Sequence, residues 1–297
     1  MSWQQELGLH ALALLAYPGI VAALLVGAGA ESVAAWVLVP ERGGLAPAAG
    51  RVLRTLRQVF TGPGAPLLSL LAMLLALVAG VQTGVPFNPV PSQDRDLVTA
   101  GVALAGASWL VWSWGWGEGE LDTRLMLRVQ LCWLVALLVP AIVPQTFHPG
   151  TLGVRQLPTH LPVKVAAALL YLSCLPALLQ LIPEAAPQGV PGGPQPRRLD
   201  RDQAGMSALR IFLWLPYCAL FATLFFPPLP PLLDRLDGLY FAAVAVGCGA
   251  LALIGARVLI LQGALATRRF YLLVVVPFAG FTVALGIVSA ALPIGPR

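Results

Sequence analysis

The side chains that could do chemistry in this chain are few, and the most telling are carboxylates set among apolar residues. Glu31 lies in the last third of an apolar run over 11–38. An ionisable group inside lipid is costly, which makes it a functional candidate. It could exchange protons there, or it could hydrogen-bond a neighbouring helix near the membrane interface. Glu118, Glu120 and Asp122 follow Trp109, Trp112, Trp114 and Trp116, tryptophans suited to a belt at headgroup level. These acids could form a proton entrance, or mark a loop and pair with Arg124 and Arg128. Glu184 follows Pro183 at the end of another apolar run, as a coupling carboxylate or a boundary residue. Lys164 and Arg257 fall within apolar runs, where such side chains snorkel or pair.

Other chemistry is thinly represented. His10, His148 and His160 are far apart in sequence, so no metal site is expected. Cys132, Cys174, Cys218 and Cys248 each fall in an apolar run and form no CxxC pair. They read as small buried residues, and no iron–sulfur site is expected. The chain has no GxGxxG, P-loop or HExxH pattern. No catalytic residue is assigned to it, and no cofactor of its own. Electron or nucleotide chemistry would belong to another subunit.

The elements that must position these groups follow from composition. Of the 297 residues, 58% are hydrophobic and 10% charged, against about 25% charged in an ordinary soluble domain. Such a surface faces lipid or apolar protein. Apolar runs at roughly 11–38, 65–85, 97–116, 128–147, 162–182, 207–226, 239–262 and 270–292 predict about eight transmembrane helices. The expected fold is therefore an all-α integral membrane bundle, a single polytopic domain over 1–297. Glu6 and the length of the first apolar run argue against a signal peptide.

Charge orients this bundle. Thirteen basic residues fall on the loops after the first, third, fifth and seventh runs and their flanks, among them Arg42, Arg51, Arg54, Arg57, Arg197, Arg198, Arg210, Arg268 and Arg269. Five fall on the other side: Arg95, Arg155, Lys164, Arg235 and Arg297. The basic side is cytoplasmic by the positive-inside rule, and an even number of spans then places both termini outside. Two cytoplasmic segments are long. In 39–64, Arg51, Arg54 and Arg57 alternate with Leu53, Leu56, Val59 and Phe60, the pattern of a short amphipathic surface helix. Segment 183–206 is rich in Pro and Gly and predicts no regular structure.

Several short motifs in order resemble the membrane-arm subunit 1 family of respiratory complex I, with its relatives in energy-converting hydrogenases. Glu41-Arg42 closes the first run, and Leu53-Arg54-Thr55-Leu56-Arg57-Gln58-Val59-Phe60 is similar to the family's amphipathic helix. Val85-Pro86-Phe87, Gly115-Trp116, Arg128, Gln130, and Arg268-Arg269 before Pro277 fall where the family has related residues. The family's acidic loop after the fifth span, which lines a quinone cavity, is matched only by Glu184.

The resemblance implies a scaffold or coupling subunit of a complex I-related assembly in the cell inner membrane. It would dock a soluble redox- or hydrogenase-like module to antiporter-like membrane subunits, with lipid but no nucleic acid as a further partner. Glu31, Glu41, Glu118, Glu120 and Glu184 are the proton or coupling candidates. Arg42, Arg51, Arg54, Arg57, Arg197, Arg198, Arg268 and Arg269 are the docking candidates. Two alternatives stay open. One is a quinone-binding, proton-coupling subunit of an NADH- or hydrogenase-type oxidoreductase, with quinone as its cofactor. The other is an independent carrier of a small solute.

Overall fold

A computed structural model describes residues 3–38, 50, 53, 66–115, 123–142, 144–149, 152, 160–182, 209–226 and 237–291. Its elements are α1 (Trp3–Leu15), α2 (Ile20–Leu38), α3 (Pro66–Val81), α4 (Leu97–Gly115), α5 (Thr123–Ile142) and α6 (Leu161–Leu178). They continue as α7 (Ile211–Phe225), α8 (Asp237–Gln262), α9 (Ala264–Phe270) and α10 (Val276–Ala291). A 3-10 turn, Ser92–Asp94, precedes α4, and a π-turn, Tyr271–Val275, joins α9 to α10. Gly263, at φ +85°, turns the chain between α8 and α9, a conformation that residues with a Cβ seldom adopt.

The described residues correct the expected number of spans. Five helical stretches are long and apolar enough to cross a membrane: Gly8–Leu38, Thr123–Ile142, Leu161–Leu178, Asp237–Gln262 and Leu265–Ala291. The runs expected at 65–85, 97–116 and 207–226 instead form shorter apolar helices, Leu67–Val81, Leu97–Ser113 and Ile211–Phe225. The 15 residues of α7 reach only about 22 Å, short of a hydrocarbon core about 30 Å thick. The chain is thus a multi-span helical membrane protein with five long spans among the described residues, not eight. The placement of both termini outside rested on an even count and falls with it.

The physical reason is clearest in α7. Every residue of this helix is buried, and it packs against α2, α3, α4, α6 and α8. A helix apolar on all sides is enclosed by something apolar, and here protein does the enclosing. Hydropathy alone cannot separate that case from contact with lipid. The peripheral helices read differently: Leu25 on α2, Val246 on α8, and Leu273 and Phe281 in the last stretch are exposed. They give the bundle an apolar outer surface. Trp133, Trp214, Tyr171 and Tyr217 lie in the core, less than 2% exposed.

Candidate functional site

One end of the bundle is held by charge. Glu31 is the only ionisable residue in α2. The Arg210 guanidinium, at the start of α7, grips it with both edges. Nε donates to Oε1 at 2.7 Å and Nη2 to Oε2 at 2.6 Å. The Trp214 indole N–H, one turn further along α7, also donates to Oε1, at 2.5 Å. Arg210 spends a third donor, Nη1, on the carbonyl of Gln180 at 2.7 Å. Three helices therefore meet at one guanidinium. Glu31 is 12% exposed and Arg210 24%.

Local sequence makes this meeting possible. A Cβ on Gly27 would fall 1.9 Å from the Ile211 carbonyl oxygen, so glycine lets α2 lie against the start of α7. Glu31 follows one turn later on the same face of α2. Beyond the end of α6, Gln180 turns at φ +51° and its carbonyl reaches Arg210. Both carboxylate oxygens of Glu31 already accept hydrogen bonds.

The opposite end is held by backbone carbonyls. Arg95 Nε and Nη2 donate to the Val90 carbonyl, Nη1 to Thr83 at 3.3 Å and Nη2 to Asn88 at 3.4 Å. Asn88 Nδ2 donates to the carbonyls of Val81 and Thr83, and its Oδ1 accepts from the Val90 amide. Burial holds the Arg95 guanidinium below its ordinary range. Asp96 caps α4 by accepting from the Thr99 amide and hydroxyl, each at 2.7 Å. Burial works against its ionisation, but the Thr99 and Val98 hydrogen bonds and nearby His148 outweigh burial and hold the carboxyl below its usual range. Lys164, buried in α6, donates to the Leu152 carbonyl at 2.8 Å. The Gly84 amide donates to Thr223 Oγ1 and ties this end to α7.

Between the two ends, α7 carries Tyr217. Its hydroxyl shares a hydrogen bond with Ser108 of α4, and its carbonyl accepts from Tyr171 of α6 at 2.9 Å. Trp133 stacks edge-on to Tyr217 at 5.3 Å. Cys132, Cys174, Cys218 and Cys248 are buried and free. Among the described residues no three His, Cys, Asp or Glu side chains gather as metal ligands would.

Of the carboxylates singled out from sequence, Glu31 is placed; Glu41, Glu118, Glu120 and Glu184 lie outside the described residues. So do Arg42, Arg51, Arg54, Arg57, Arg197 and Arg198, and the amphipathic helix around them except for Gly50 and exposed Leu53. Arg268 and Arg269 are exposed in the last turn of α9. Arg257 is half-buried and donates to the Leu38 carbonyl at 3.4 Å. Sequence reasoning missed Arg210, Trp214 and Gln180 as the surroundings of Glu31. One signal was present: a carboxylate in an apolar helix is stabilised by a nearby cation, and Arg210 stands at the edge of the apolar helix α7.

No protein-family model matches this sequence, and no curated protein matches it. Among solved structures, the fold is similar to a chain of the membrane-bound sulfane sulfur reductase, an archaeal respiratory membrane complex. The TM-score is 0.59 at 18% identity, covering 94% of this chain and 99% of that one. At that identity the likeness is one of fold, and it runs through nearly the whole of both chains.

Proposed function

We propose that this chain is a membrane scaffold subunit of a respiratory-type multisubunit complex in the inner membrane. In this reading it docks a soluble redox- or hydrogenase-like module to antiporter-like membrane subunits. The observation that carries the reading is the fold likeness over 99% of a chain from a respiratory membrane complex. That coverage fits a subunit of the same kind better than a shared motif. The state of Glu31 supports scaffolding over proton carriage, because its oxygens are committed to Arg210 and Trp214. The exposed apolar faces of α2, α8 and α10 suit lateral contact with lipid or neighbouring membrane subunits.

The test is gentle native purification of the tagged chain, with mass spectrometry of what stays bound. Recovery of antiporter-like membrane subunits together with a soluble redox or hydrogenase-like module is the expected result. Recovery of the chain alone, monodisperse and active in liposomes, would overturn the reading in favour of an independent carrier.

A further inference from the structure

Phe87 sits where neither backbone preference nor packing within this chain calls for a phenylalanine. Its φ is +61°, a left-handed conformation usual for glycine or asparagine and costly for a bulky side chain. Its side chain is 86% exposed, the most of any large apolar residue among the described residues. The loop around it leaves little freedom. Val85 and Val90 are buried on either side. The Asn88 amide donates to the Val85 carbonyl at 3.2 Å, closing the turn around Phe87. The Asn88 and Arg95 side chains brace the neighbouring carbonyls of Val81, Thr83 and Val90. Bracing of this kind is what lets a strained residue persist. The loop is a rigid mount for one projecting aromatic ring.

The level of that ring is set by α8. A Cβ on Gly238 would meet Phe87 Cε2 at 3.4 Å, so the ring lies beside the first turn of this helix. From that turn onward Leu239, Val246, Ile254 and Leu261 are all exposed. Each follows the last by close to two helical turns, which keeps them on one side of α8. The stripe is about 33 Å long, a match for a hydrocarbon core about 30 Å thick. Asp237 precedes it and Gln262 follows it, so polar residues bracket the stripe. Leu239 thus stands at one edge of the hydrocarbon, and Phe87, level with Gly238, stands at the boundary with the headgroups. Phenylalanine suits that boundary, where its ring leaves water without entering the bilayer centre.

We propose that Phe87 is a membrane anchor, its ring seated in the lipid between headgroups and acyl chains at the Arg95 end of the bundle. The lipid supplies the burial that the chain itself withholds, and the braced loop fixes how this end of the bundle meets the bilayer surface. The inference rests on the membrane-spanning fold and not on the subunit reading. The experiment uses the full chain in phosphatidylcholine nanodiscs with a nitroxide on Phe87→Cys. The native cysteines are all buried, which leaves the introduced thiol as the one open to the label. Asp94→Cys, at an exposed residue of the same loop, serves as the reference for water, and Val246→Cys as the reference for lipid. The ratio of oxygen to nickel-chelate accessibility at Phe87→Cys should be several-fold above that at Asp94→Cys and below that at Val246→Cys. A ratio equal to that at Asp94→Cys overturns the proposal, as does a label shielded from both reagents. A second measurement keeps the aromatic ring: Phe87 is replaced by p-benzoylphenylalanine and irradiated in native membranes. Mass spectrometry should find the chain joined to phospholipid. Crosslinking to another protein subunit would mark a protein contact and overturn the anchor, and so would the absence of any adduct.

Discussion

The two ends of the bundle bury cations in opposite ways. At the Glu31 end, Arg210 meets a carboxylate contributed by another helix, 179 residues away in sequence. At the other end, Arg95 and Lys164 meet backbone carbonyls, most of them close in sequence: Val90 is 5 residues from Arg95, and Leu152 is 12 from Lys164. The difference is one of reach. A guanidinium on nearby carbonyls shapes its own loop and saves those carbonyls from going unpaired. A guanidinium on a distant carboxylate fixes helices against one another. Removal of one partner leaves a charge buried without its counter-charge. The Glu31 end should therefore be the more sensitive to substitution and the Arg95 end the more local in its response.

The largest expected effect tests that contrast directly. Glu31→Gln should destabilise the chain in lipid nanodiscs by about 3–5 kcal/mol, the usual cost of breaking a buried pair from one side. The exchanged pair, Glu31→Arg with Arg210→Glu, should recover part of the loss in a denaturation series. Full stability in the single variant would mean that the pair does not hold the helices. Removing both charges sharpens the point: Glu31→Leu with Arg210→Met should cost far less than either single change.

Next in size is the helix crossing that brings the pair together. Gly27→Leu places a side chain against the Ile211 backbone and should cost about 1–3 kcal/mol as overpacking. Hydrogen exchange should rise in α2 and the first turns of α7 together. A rise confined to α2 would argue against coupling between the two.

At the opposite end, Arg95→Met should cost about 1.5 kcal/mol, near the low end for hydrogen bonds to a charged group, because water can reach part of the site. Faster amide exchange should be confined to residues 82–96. If α6 and α7 loosened equally, the local reading of this end would fail.

The smallest effect is a pH dependence. Burial, followed by the nearby Lys164 ammonium, holds His160 below the ordinary imidazole range. As pH falls, the unfolded chain therefore binds a proton before the folded chain does. The stability tied to this group is complete above an unfolded value of about 6.5 and drains away as pH falls through the depressed folded value. Melting temperatures of wild type and His160→Asn should accordingly converge on acidification. Parallel curves would remove His160 from the account.

Much of the architecture was legible in the residues themselves. Helices follow from apolar runs in a chain with 10% charge, because backbone groups in lipid must be satisfied within the segment. The boundaries also track the sequence: the turn after Val81 and the Pro-rich stretch after Phe226 end α3 and α7 near the expected places. The number of long spans did not follow, because hydropathy measures how apolar a segment is and not what surrounds it. The complete burial of α7 shows why.

The candidate site divides along the same line. Sequence alone marked Glu31 as a carboxylate in an apolar helix, and it marked Lys164 and Arg257 as cations in need of an outlet. Those are statements about one residue and its neighbours in the chain, where desolvation cost can be judged locally. The choice of partner was decided only by tertiary structure. Whether Glu31 faced an open path or a guanidinium depended on how closely α2 approached α7, and so on Gly27, Ile211 and the turn at Gln180. A pairing across 179 residues has no periodicity to betray it. It exists because packing brings two helix faces within hydrogen-bond distance, and packing is a property of the folded bundle.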